Sequence, residues 1–177
     1  PGVTVYGKSG ADFLVVARGS KMVADGTAAA PIVFTSLQDV IGSTTRSGQW
    51  GGIVVLGNAP SNKCDQVTQT SCSIQAEGNA GPYGGYNAAD NSGVYKYIQI
   101  KFAGYEVIKD NELNGLTLAG VGNGTVVDHV QVHSNLDDGL ELFGGTVNLK
   151  YIALTKNEDD SLDWTDGWNG KAQFILV

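Results

Sequence analysis

Arginine is nearly missing from this chain, with only Arg18 and Arg46, both far from its acidic end. Lysine and arginine together number 11 against 18 aspartates and glutamates, a formal net charge of −7. A surface with that balance repels phosphate backbones and anionic headgroups, which argues against nucleic acid and anionic membranes as partners. Long apolar runs are absent too. No stretch nears the roughly 20 continuous apolar residues of a spanning helix, so no transmembrane segment is expected. Cysteine is confined to Cys64 and Cys72, eight apart in a polar stretch with no His or further Cys beside them to complete a zinc site. A local disulfide in an exported protein is the expected reading, and two free thiols the alternative. Helical periodicity is also lacking. Gly120-Val121-Gly122-Asn123-Gly124 has the look of a phosphate-binding glycine loop, yet no helical pattern follows it, so it reads as a corner.

What the chain does have is repetition. Leu136-Asp137-Asp138-Gly139-Leu140-Glu141-Leu142 is answered by Glu158-Asp159-Asp160-Ser161-Leu162-Asp163-Trp164, and Leu140 to Leu162, Glu141 to Asp163 and Asn135 to Asn157 are each 22 residues apart. Asp110-Asn111-Glu112-Leu113-Asn114-Gly115-Leu116 is an earlier copy, its Gly115 standing 24 before Gly139. An apolar alternating run precedes each copy, Tyr97 to Ile100, His129 to Val132 and Tyr151 to Leu154. Glycine, 25 of 177 residues, is about twice its ordinary share of roughly 7% and punctuates these runs. Self-similarity at such a period signals stacked repeats. Short strands without intervening helices predict an all-β chain, a single-stranded parallel β-helix (solenoid) of about 22-residue coils in one domain, 1–177.

Residues 58–93 interrupt that pattern as a long polar loop insertion carrying both cysteines. Its Tyr83 and Tyr86, with Trp168, are candidates for stacking on sugar rings; a loop simply packed on the coil wall is the plainer alternative. Both ends of the sequence begin or stop in strand-like residues. That is the pattern of a piece of a longer protein, or of open strand edges able to associate end to end.

Stacking assigns faces. Leu116, Leu118, Leu140, Leu142, Leu162 and Trp164 are expected inside with Val130, Val132, Ile152 and Leu154, and Asn135 with Asn157 at one corner, able to bond each other. Outside, Asp137 would lie over Asp159, Asp138 over Asp160 and Glu141 over Asp163. Unit charges ~4.8 Å apart repel by about 1 kcal/mol in water and roughly 3.5 kcal/mol at a dielectric of 20. Turn-bonded acids, a bound cation or catalytic carboxylates would each answer that repulsion. Sulfur-free, oxygen-rich ligands suit Ca²⁺, which makes Asp137, Asp138, Glu141, Asp159, Asp160 and Asp163 a candidate calcium site. As an enzyme, Asp137, Asp138, Asp160 and Asp163 could supply an acid and a base, with His133 as a general base.

The arrangement of Trp50-Gly51-Gly52, Asp90-Asn91-Ser92-Gly93, His133 to Gly139, Phe143-Gly144-Gly145-Thr146-Val147 and Asp163-Trp164 resembles a family of bacterial exported proteins. These are described as hypothetical lipoproteins or surface proteins with a right-handed parallel β-helix. The resemblance implies that fold and an extracellular or outer-surface location, and carries no catalytic assignment. The fold itself is similar to that of pectate lyases and polygalacturonases, and fold alone does not carry function. A non-catalytic exported module binding polysaccharide or a neighbouring cell-surface protein is the leading expectation. A carbohydrate-active enzyme and a self-assembling fibre subunit are the alternatives, the lyase variant weakened by the distance of both arginines from the acids.

Overall fold

The computed structural model describes residues 1–177 except Gln66, Gln69, Lys109 and Asp110, with backbone alone at Ile108 and Asn111. Asp110, expected to open the first acidic copy, therefore lies outside the described residues.

Runs of alternating apolar residues, too short for helices, pair side by side into two parallel sheets around a shared interior. The five-stranded sheet has the order Leu162–Thr165, Leu140–Phe143, Leu116–Ala119, Gly52–Leu56, Phe13–Val16. Its register sets Leu116 beside Leu140 and Leu140 beside Leu162, so like residues lie over like. The seven-stranded sheet is led by Gly93–Lys101, Val126–His133 and Asn148–Thr155, with Ile98, Val130 and Ile152 in one row and Ile100, Val132 and Leu154 in another. Both inward rows join Leu116, Leu118, Leu140 and Leu142 in a single apolar core. Burying each such side chain contributes about 1.5–3 kcal/mol, which is what the repeat secures.

Alternation is not continuous along the longer strands. Tyr97, His129 and Tyr151 take left-handed backbone angles (φ 48°, 53° and 56°), and Phe174 in Ala172–Leu176 does the same at 63°. Each long strand is thus two legs meeting at a corner, and with a strand of the other sheet these make three legs per turn. Stacking offsets the cost of the corner: rings of Tyr97 and His129 lie 4.3 Å apart, His129 and Tyr151 4.5 Å, Tyr151 and Phe174 4.9 Å. Asn135 and Asn157 differ from expectation. Each amide turns into its own corner, Asn135 donating to the Asp138 carbonyl at 2.6 Å and Asn157 to Ser161 Oγ at 3.2 Å.

The insertion is ordered where described. Its first residues run along the coil stack, with Ala59 N–H donating to Gly120 O at 2.7 Å, Gly145 N–H to Pro60 O at 2.7 Å and Asn62 N–H to Asp166 O at 3.0 Å. Gly144 (φ +60°) allows this passage, because a Cβ there would lie 2.9 Å from Ser61 Cβ. The disulfide Cys64–Cys72 forms, and Ile74–Gln75 pairs antiparallel with Pro82–Tyr83. The segment covers the outer face of the five-stranded sheet, where Ala76 and Tyr83 pack with Val54, Leu56, Leu113 and Ala119. That face is apolar for this reason. No helix among the described residues is long and apolar enough to cross a membrane.

Candidate functional site

Leu140 and Leu142 point inward, so Glu141 between them points out, flanked in register by Thr117 on one side and Asp163 on the other. One corner earlier, Gly115 N–H bonds to Asp138 O at 3.0 Å and Gly139 N–H to Asp160 O at 2.9 Å, which brings Asn114, Asp138 and Asp160 into a second row. Two groups of carboxylates result. Asp138, Glu141 and Asp163 each place an oxygen within 4.8 Å of the others, and so do Asp137, Asp138 and Asp159. Asp160 joins neither group. Its side chain is exposed, and its contribution is a backbone N–H donated to Asp138 Oδ1 at 2.9 Å.

The insertion completes the wall from outside. Asn114, fully buried, donates its amide to Glu141 Oε2 at 2.6 Å and reaches Glu77 Oε2 of the insertion at 3.4 Å. Beyond them Tyr83 OH donates to Asp166 Oδ2 at 2.7 Å, and Lys63 pairs with the same oxygen at 3.0 Å. Crowding shows in the proton affinities. Burial, then the neighbouring Glu77 and Asp138, pushes Glu141 up to about 9. Burial, then Asp137, pushes both Glu77 and Asp138 up to about 7. Asp137 rises to about 6 through burial and then Glu112. Tyr83 is held above the usual phenol range by burial and by Asp166. Without a cation Glu141 therefore keeps its proton at neutral pH and the wall carries less charge than its sequence suggests; a bound cation would displace that proton.

Over its whole length, residues 1–177, the chain matches the family described as pectate-lyase like beta helix domain. It belongs to that family. No curated protein and no solved structure gives a significant match. A pectate-lyase-like β-helix fits a polysaccharide-related role, and the disulfide fits an extracellular protein, while the chemistry must come from the side chains themselves.

Those side chains fall unevenly against expectation. In this pectate-lyase-like chain His133 faces no carboxylate partner among the described residues. Its Nδ1 meets Thr155 Oγ1 at 2.8 Å, Phe102 lies edge-on, and burial with Lys156 and Lys101 lowers its proton affinity. Among the described residues His133 thus has no aspartate to orient it as a general base. Tyr83 is a correction as well: at 2% exposure its ring is core, and its hydroxyl is committed to Asp166. Tyr86 is exposed, while Trp168 is half-buried, its Nε1 donating to Val147 O at 3.1 Å and its ring tilted against Trp164. Trp164 stands over Leu142 in the inward row, yet Leu162–Thr165 is the outermost strand of its sheet and leaves the indole 58% exposed. Two site residues were missed. Glu77 comes from another part of the chain, with no local signal. Asn114 was legible as the first member of the row Asn114, Asp138, Asp160.

The donor set of the wall suits a hard cation. It is all oxygen, and two ligands about 2.4 Å from a shared Ca²⁺ stand at most about 4.8 Å apart. Asn114 Oδ1 adds a buried acceptor with no partner among the described residues.

Proposed function

We propose that this β-helix is an exported or cell-surface, non-catalytic module that binds polysaccharide. We take its winding as right-handed, the hand of nearly all parallel β crossovers, with about 22 residues per coil; the Asp138–Asp160 bond, across 22 residues, supports that length. The observation that carries the non-catalytic reading is the enclosure of the carboxylates. Asp138, Glu141 and Asp163 bring oxygens within 4.8 Å of one another. The two carboxyl groups of a glycosidase flank the scissile bond, so both must be open to the substrate. Here Asp138 and Glu141 are closed in by Asp160 N–H and Asn114, and both are only 8% exposed. The wall serves instead to hold Ca²⁺ through Asp138, Glu141 and Asp163, with Asp137 and Asp159 beside them.

On a polysaccharide panel, co-sedimentation is expected to show binding, and reducing-end and unsaturated-uronate assays no turnover. Turnover that Asp138→Asn or Asp163→Asn abolishes in a folded protein would overturn the reading. Calcium added to EDTA-treated protein should raise the melting temperature by several degrees, consistent with about 2.7 kcal/mol at a hundredfold excess over Kd. An unchanged melting temperature at millimolar Ca²⁺ removes the metal.

A further inference from the structure

A second wall, on the outer face of the seven-stranded sheet, holds a groove of about 430 Å³. Its floor is one outward row: Gln99, Gln131 and Ala153 are register partners on successive strands. One side is made by the edges of Tyr97 and His129, because rings stacked face on face turn their rims outward. The end is closed by the turn bearing Ala28 and Pro31. Gln99 Nε2 donates to Gln131 Oε1 at 3.1 Å, which fixes both amides and leaves each with further hydrogen-bonding capacity. A mostly apolar trough with a few fixed polar groups is the usual character of a small-molecule site.

The ligand class follows from charge and spacing. The nearby charged row alternates, Lys96, Asp128 and Lys150 on neighbouring strands, so opposite signs lie side by side where the acidic wall stacks like on like. Nothing there favours a strongly charged polymer of either sign. Successive strands advance by ~4.8 Å, close to the advance of one sugar in an extended glycan. A hydroxyl-bearing chain lying along the coil axis would meet Gln99 with one sugar and Gln131 with the next, and the small Ala153 leaves room for a third. We infer that this groove is a subsite for an extended, uncharged glycan. The assignment rests on the polysaccharide-binding reading and deepens it by moving the glycan off the acidic wall.

The test is calorimetric titration of the whole chain with cellohexaose, mannohexaose and hexagalacturonate. At least one neutral hexasaccharide is expected to bind, and Gln99→Ala with Gln131→Ala to weaken it at least tenfold. Ala28→Trp fills the groove from an exposed turn without touching a sheet strand, and should weaken binding by a similar factor even if the glutamine variants fold poorly. Glu158→Gln, an exposed acid outside both carboxylate groups, should leave affinity unchanged. Binding that survives Ala28→Trp, is lost in Glu158→Gln or is confined to hexagalacturonate overturns the groove and leaves polysaccharide binding standing. No binding to any of the three overturns both.

Discussion

The acidic wall and the aromatic ladder are products of one operation, the laying of each coil over the last in register. On the ladder, Tyr97, His129, Tyr151 and Phe174 gain from being superposed, about 0.5–1.5 kcal/mol for each ring pair beyond burial. On the acidic wall, superposition sets Glu141 beside Asp163 and Asp138 among Asp137 and Asp159, and the response is to hold protons that carboxyls ordinarily release. Stacking is thus indifferent to what it stacks. A region where it is unfavourable, and persists, is where selection for something other than stability is to be sought.

Three measurements test that contrast, beginning with the one expected to move most. Glu141 sits at about 9 against an ordinary 4.5, so the folded chain binds this proton more tightly than the unfolded one. The stability it contributes is complete below pH 4.5 and is lost as pH rises toward 9. With Glu77 and Asp138, each near 7, the decline should amount to on the order of a few kcal/mol between pH 5 and 9. Glu141→Gln, which keeps an acceptor for Asn114, should flatten that slope in urea titrations; an unchanged slope would contradict the crowding. Tyr151→Leu removes two ring contacts and should cost about 1–3 kcal/mol with no dependence on pH. Were its effect to grow with pH, the two walls would not be independent. Lys150, 5.1 Å over the Tyr151 ring, comes last. Lys150→Ala should cost about 0.5 kcal/mol and less at high salt, and a loss exceeding that of Tyr151→Leu would mean charge, not ring stacking, holds the ladder.

The inner architecture was readable because the same chemistry recurs at a fixed interval. Leu116, Leu140 and Leu162 could be superposed on paper, and they pair in the structure. The outward rows followed from the same alternation, as did Glu141 beside Asp163. The corner at Tyr97, His129 and Tyr151 did not, since aromatic residues in unbroken strand-like runs give no sign of a left-handed backbone, and only their stacking makes it tolerable. Glu77 and Tyr83 were illegible for a different reason. Their partners lie far along the chain, Glu77 meeting Asn114 and Tyr83 meeting Asp166, and aperiodic sequence holds no record of such encounters. Burial of Tyr83 also shows how a tyrosine in a polar, glycine-rich loop reads as a free ring until the apolar wall beneath it, Val54, Leu56 and Ala119, is taken into account.

A stack of coils ordinarily communicates only between neighbours, so that either end can unravel while the middle holds. The insertion alters this. Near the start of the chain Arg18 grips its Cys72 and Gly84 carbonyls at 2.8 and 3.0 Å, and near the end Asp166 takes its Tyr83 hydroxyl and its Lys63 ammonium. One segment therefore clasps two widely separated turns at once, like the binding along a book's spine. Opening at either place pulls on a fastening shared with the other, and the turns between them are made to give way together or not at all.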